Sequence, residues 1–165
     1  MSEKNTTHSI INNLIDPVLF SSIRDTLIGD TFYWYYSDFV NYRPCEGYRF
    51  TNEIIKDSNL TNNLFVNYLN MVKPVLDKIN HTKIHSLRFN LFTKTLEPKK
   101  YLINHHKNNK VAILFANNTN GGIEIDNVFI KSTENQLVSF NSDTEYNIVT
   151  STDNKIFTYL LINYE

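Results

Sequence analysis

Residues 110–163 read KVAILFANNTNGGIEIDNVFIKSTENQLVSFNSDTEYNIVTSTDNKIFTYLLIN. Six strand-like runs can be cut from this stretch: Lys110 to Asn117, Gly122 to Asp126, Val128 to Lys131, Gln136 to Phe140, Tyr146 to Thr150 and Ile156 to Asn163. Each is rich in β-branched, aliphatic or aromatic residues, and each is bounded by Asn, Asp, Ser or Gly. Asp126-Asn127 suits a two-residue hairpin turn, and Asn120-Gly121-Gly122 suggests a turn built on positive-φ residues. No connection between the runs is long enough for a crossover helix, so neighbouring strands must pair antiparallel. Strands crowded at the end of a chain whose helices come early imply an α+β protein closing in an antiparallel sandwich or barrel.

Working back from Lys110, the segment Lys83 to Thr95 alternates Leu87, Phe89 and Leu91 with Ser86, Arg88 and Asn90. This is a strand with one buried face, and Arg88 and Asn90 point together to the other side. Leu60 to Ile79 has the helical spacing Leu64, Tyr68, Val72, Val75, Ile79, with Pro74 expected to kink or divide it. Tyr48 to Ile55 reads as a strand, as does the aromatic block Phe32 to Tyr36 around Trp34, whose rings are expected to pack rather than to stack on a base or sugar. Pro17 to Ile28 carries the signature of a helix: Asp16 as N-cap, Pro17 in the first turn, Gly29 past the end, and Phe20, Ile23 and Leu27 as a buried stripe.

With 165 residues, 41% of them hydrophobic, the chain suits one domain with a substantial core. It contains no apolar run of membrane-spanning length and no charged-then-apolar leader, so the expectation is a cytoplasmic protein with no membrane partner. Cys45 is the single cysteine, which excludes an internal disulfide, and its neighbour Glu46 does not favour a reactive thiolate. A net charge of −1 provides no general attraction to nucleic acid. The abundance of Asn, Ile, Lys, Tyr and Phe, with alanine only at Ala112 and Ala116, is the bias of an AT-rich genome such as a phage's, in which case the protein would work in the host cytoplasm. Nucleotide-binding glycine loops, Gly-x-Ser-x-Gly elbows and paired-cysteine zinc spacings do not occur.

Taken in order, the Ile10 to Phe20 opening, Tyr33-Trp34-Tyr35, Leu87-Arg88-Phe89-Asn90-Leu91, Ala112 to Asn117 leading into Asn120-Gly121-Gly122-Ile123-Glu124, and Gln136 to Asp143 resemble the iron(II)/2-oxoglutarate-dependent dioxygenase superfamily. The likeness is to its small, phage-type, prolyl-hydroxylase-like members and runs nearly the length of the chain. It implies a double-stranded β-helix, or jelly roll, with flanking N-terminal helices. The whole of 1–165 is then a single domain, with 1–82 as helical and strand support and 83–165 as the jelly-roll core.

The resemblance also implies iron in the mouth of the roll on a His-x-Asp pair and a later His. Where His-x-Asp is expected, the chain has His105-His106-Lys107-Asn108, with no Asp two residues after either imidazole. Lys107 brings a cation to the place of a metal. Tyr146 stands at the later His, and a neutral phenol is a poor ligand for ferrous iron. The basic residue that would pair with the far carboxylate of 2-oxoglutarate falls at or beside Phe157, with Lys155 as a candidate substitute.

These substitutions imply a degenerate, non-catalytic homologue, without iron or 2-oxoglutarate, that binds a host or viral protein or a small anionic ligand. The vestigial pocket would comprise His105, His106, Lys107, Tyr146, Lys155, Arg88 and Asn90. The alternative is a divergent hydroxylase that binds Fe(II) and 2-oxoglutarate, with metal on His105 or His106 and acidic help from Asp143, Glu145 or Asp153. A third reading, a nucleic-acid module, would use Lys94, Lys99, Lys100, Lys107 and Lys110 around Tyr101, although a solvated charged loop explains them equally.

Overall fold

The computed structural model describes residues 8–38, 47–103 and 109–165. In chain order the strands are β1 (His8–Ile11), β2 (Tyr35–Ser37), β3 (Arg49–Lys56), β4 (Asn59–Leu60), β5 (Ile84–Thr93), β6 (Lys100–Ile103), β7 (Lys110–Phe115), β8 (Gly122–Ile125), β9 (Val128–Lys131), β10 (Gln136–Asn141), β11 (Tyr146–Val149) and β12 (Ile156–Tyr164). Two helices, α1 (Pro17–Ile28) and α2 (Val66–Leu76), precede β5. An eight-stranded sheet has the order β1-β10-β7-β12-β5-β3-β2, with β4 attached to β3, and a four-stranded sheet has the order β6-β11-β8-β9. Every strand pair is antiparallel. The run β10-β7-β12-β5 against β6-β11-β8-β9 is the double-stranded β-helix that the sequence leads one to expect.

Strand parity builds two cores on opposite faces of the large sheet. Outward, Leu87, Phe89, Ala112, Leu114, Leu137, Leu160 and Ile162 pack under the helices, meeting Phe20, Ile23 and Leu27 of α1 and Val72, Val75 and Leu76 of α2. Inward, Phe92, Val111, Ile113, Phe115, Val138, Phe157, Tyr159 and Leu161 meet Ile103, Ile123, Ile125, Tyr146 and Ile148 of the small sheet. Among the described residues, no helix is long and apolar enough to cross a membrane.

Helix α1 forms as its sequence dictates: Asp16 Oδ1 accepts from the amides of Val18 at 2.8 Å and Leu19 at 3.4 Å, and Pro17 takes the first turn where no amide is needed. The chain before α1 is pinned to the roll by Asn135. Its side-chain Oδ1 accepts from the Ile15 amide at 3.2 Å, and its Nδ2 donates to the Ile15 carbonyl at 2.8 Å. Its φ of 57° is the left-handed conformation that asparagine tolerates better than most residues.

Several expectations need correcting. The helix expected from Leu60 begins at Val66, because Leu60 pairs with Ile55 across the β3–β4 hairpin and Asn62 caps a short 3₁₀ turn at Asn63–Phe65. Pro74 does not divide α2: it lies in the last turn, and the helix runs on to Leu76. No described glycine has positive φ. Gly121 and Gly122 are needed for close approach instead. A Cβ on Gly121 would lie 2.8 Å from the Val149 carbonyl oxygen, and one on Gly122 would overlap the carbonyl of Ile130. Asp126 and Asn127, by contrast, take φ of 49° and 63° in the β8–β9 turn, the primed geometry that a two-residue hairpin favours. The aromatic block is split: Phe32 is buried with Trp34 at 4.6 Å, while Tyr33, Tyr35 and Tyr36 are more than half exposed.

Candidate functional site: the interior of the jelly roll

The interior has two chemically distinct halves. At the end where β5 finishes and β12 begins, aromatic rings close the space between the sheets. Phe92 lies 5.9 Å from Tyr101 at an interplanar angle of 18°, and 6.3 Å from both Phe157 and Tyr159 at 27° and 12°. Phe157 also lies 5.4 Å from Tyr159 and 6.1 Å from Phe115. Phe157 and Phe115 are fully buried. Any side chain at Gly47 would overlap the Tyr101 ring, so this end is packed from outside as well. What remains is a cleft of about 50 Å³ between Tyr48, Phe92, Thr93, Tyr101 and Thr150.

The other half is polar. Arg88 and Asn90 pair with Leu161 and Tyr159 of β12, both inward-facing, so the expectation that they share the non-helical face is correct. Across β3, Glu53 stands opposite Arg88 and Thr51 opposite Asn90, and Arg49 shares their face by strand alternation. Arg88 and Glu53 approach to 3.8 Å, with the Arg88 side chain 13% exposed. That distance is an ion pair without a hydrogen bond, and Arg88 Nε is buried with no acceptor. Asn90 is fully buried: its Nδ2 reaches the Arg88 carbonyl only at 3.4 Å, and its Oδ1 has no donor.

Tyr146, first residue of β11, faces this half, 1% exposed and edge-on to Phe140 at 5.0 Å. Burial holds its phenol well above the ordinary range, the nearby Tyr159 phenol adds to this, and the charges of Arg88 and Arg49 oppose it. Burial likewise pushes Tyr159 up to about 12 against the pull of Arg49 and Arg88. Both phenols are therefore neutral at any physiological pH, and the two guanidinium groups are close enough to act on each. Arg49, Glu53 and Tyr159 were not legible as site residues from the sequence. The available signal was parity, since Arg49, Thr51 and Glu53 alternate along β3 as Arg88 and Asn90 do along β5.

His105, His106 and Lys107 lie outside the described residues. Lys155 is exposed in the turn before β12, where its carbonyl accepts from the Lys94 amide at 2.9 Å. Asp143 and Glu145 are exposed. Asp153 locks the turn after β11, accepting from the Asn120 amide at 3.0 Å and the Ser151 hydroxyl at 2.8 Å, contacts that hold its carboxyl below the usual range. That turn leaves β11 at the end away from Tyr146, so Asp153 and Tyr146 do not converge. Among the described residues no three His, Cys, Asp or Glu side chains gather as a metal site. The lysines are divided: Lys94, Lys99 and Lys100 lie at the aromatic end, with Lys100 bound to Glu124 at 2.7 Å, while Lys110 lies opposite Tyr164 at the other.

No protein-family model matches the sequence, and no curated protein matches it. Solved structures do. The chain is similar to an oxidoreductase of the 2OG-Fe(II) oxygenase family from Burkholderia pseudomallei, with a TM-score of 0.67 and 9% identity over 98% of this chain and 86% of that one. A prolyl-4-hydroxylase from Pseudomonas putida gives 0.62 and 11% over 98% and 94%. A prolyl hydroxylase from Trichoplax adhaerens, solved with a hypoxia inducible factor peptide fragment, gives 0.64 and 11% over 97% and 84%. The chain thus has the jelly-roll fold of the 2OG-Fe(II) oxygenases.

Proposed function

We propose that the protein is an oxygenase-fold binding protein, a pseudoenzyme that carries out no iron/2-oxoglutarate chemistry. The observation that carries this reading is Phe157, fully buried among Phe92, Phe115 and Tyr159 at or beside the position where the resemblance calls for a basic residue to hold the far carboxylate of 2-oxoglutarate. A carboxylate buried against that stack would lose its hydration and gain no counter-charge, a cost of several kcal/mol.

Tyr146 supports the same reading. It stands where the later metal-binding His is expected, and burial keeps its phenol protonated, so it offers Fe(II) no anionic oxygen. The residues described therefore do not fit a ferrous ion with its cosubstrate. Binding is what the polar half of the interior remains equipped for, with two arginines, a buried amide and neutral phenols on facing sheets.

Anaerobic calorimetry with Fe(II) and 2-oxoglutarate tests the proposal. The expected result is no saturable heat for either at millimolar concentration. Micromolar binding of both, with succinate released when oxygen and a peptide substrate are supplied, overturns it.

A further inference from the structure

Two buried groups in the polar half are left incomplete in complementary ways. Arg88 Nε is a charged donor without an acceptor, and Asn90 Oδ1 is an acceptor without a donor. They belong to residues two apart on β5, and alternation turns both toward the space between the sheets. Buried polar atoms without partners are rare because each costs about 1–3 kcal/mol, so a pair of opposite character on one face points to a molecule that completes both.

The charges on this face set the sign of that molecule. On β3 and β5, Arg49 and Arg88 supply two positive charges and Glu53 one negative, a surplus of one. The adjoining phenols contribute no charge, and the neighbouring Leu161 and Tyr159 offer apolar surface on which a short carbon chain can lie. A guanidinium presents parallel N–H groups matched to a planar carboxylate, and a hydroxyl beside that carboxylate supplies the proton that Asn90 Oδ1 lacks.

We propose that the polar mouth of the jelly roll binds a small monoanionic hydroxycarboxylate without any metal, Arg88 holding the carboxylate and Asn90 accepting from the hydroxyl. The assignment rests on the binding-protein reading above and makes it specific. It uses groups on β5 in place of any cation or any base at the start of β12.

Calorimetry in EDTA-treated buffer with lactate, propionate and lactamide reads each element separately. Lactate is expected to bind saturably. Propionate, lacking the hydroxyl, should bind about tenfold more weakly, as one lost hydrogen bond implies. Lactamide, lacking the charge, should not bind measurably. Arg88→Gln is expected to abolish lactate binding. Asn90→Leu, close in volume and without the unsatisfied acceptor, should bind lactate and propionate alike, and it serves as the decisive variant should Arg88→Gln not fold.

Absence of saturable lactate binding to the wild-type chain overturns the inference, as does equal affinity for propionate, or an Asn90→Leu variant that keeps the preference. The two proposals fail separately. If neither Fe(II) with 2-oxoglutarate nor lactate binds, the pseudoenzyme reading stands and the hydroxycarboxylate falls. If lactate binds only after Fe(II) is added, both fall.

Discussion

Replacing Phe157 by alanine asks whether the roll is filled or hollow at the end where β12 begins. The ring is fully buried and lies 5.4 Å from Tyr159, 6.1 Å from Phe115 and 6.3 Å from Phe92. Truncating a phenylalanine so enclosed removes its transfer free energy and leaves a cavity that rigid aromatic neighbours cannot collapse into, a loss of about 3–5 kcal/mol. The aromatic contacts place Phe157→Ala in the upper part of that range, near 4 kcal/mol as an order of magnitude. For a chain of this length that corresponds to a fall in Tm of about 8–16 °C. Were this end a solvated cosubstrate pocket, the ring would already touch water and its removal would cost about 1 kcal/mol or less. Urea unfolding followed by circular dichroism measures the difference directly, with Phe157→Leu as a control expected to lose about 1–1.5 kcal/mol. A loss below about 1.5 kcal/mol for Phe157→Ala would refute the filled interior and with it the main support for a pseudoenzyme.

Stability should also depend on alkaline pH in a defined direction. Tyr159 moves from an ordinary 10.0 to about 12 on folding and Tyr146 moves up as well, so above pH 10 the folded chain holds more protons than the unfolded one. The stabilisation is complete below pH 10 and is lost as pH rises toward 12, by about 3 kcal/mol for Tyr159 alone; urea titrations at pH 9, 10 and 11 should follow this fall, and Tyr159→Phe should flatten it. Asn135→Ala removes both side-chain bonds to Ile15 and places a Cβ residue without a compensating amide at a φ of 57°, for a loss of about 3–4 kcal/mol. Asn135→Gly keeps the backbone freedom and should lose about 1 kcal/mol less, as denaturant midpoints will record. Gly122→Ala pushes a methyl group into the Ile130 carbonyl across the β8–β9 hairpin and should cost more than about 2 kcal/mol; a midpoint unchanged from wild type would contradict the close approach.

Much of this architecture is legible in the residues, because the rules that reveal it are local. Val128–Lys131 is a strand at its expected bounds, since Asp126 and Asn127 can adopt the left-handed φ of a tight hairpin at low cost. Helix α1 matches its cap, its proline and its apolar stripe. Arg88 and Asn90 share a face because alternation along a strand has no exceptions short of a bulge. What could not be read depends on partners distant in sequence. His8–Ile11 becomes a strand by pairing with β10, and Lys100–Ile103 by pairing with β11, though neither segment alternates clearly. Leu60 keeps helical spacing with its successors but is taken by the β3–β4 hairpin. The glycines at Gly121 and Gly122 announce a turn, yet what they avoid is contact with backbone some eight and more residues away. The site was half visible for the same reason: parity reveals which side chains share a face, but not that Arg49 and Glu53 of β3 would be laid beside β5, nor that Tyr159 would come within electrostatic reach of Tyr146.

The division of the apolar interior between two faces of the large sheet bears on how such a chain can change its occupation over evolutionary time. The layer under α1 and α2 has its own set of buried side chains and shares none with the space between the sheets. A lineage can therefore exchange donors for rings inside the roll while the anchorage of the helices on its back goes on holding the sheet in shape. Scaffolds partitioned in this way tolerate the loss of one chemistry long enough to acquire another.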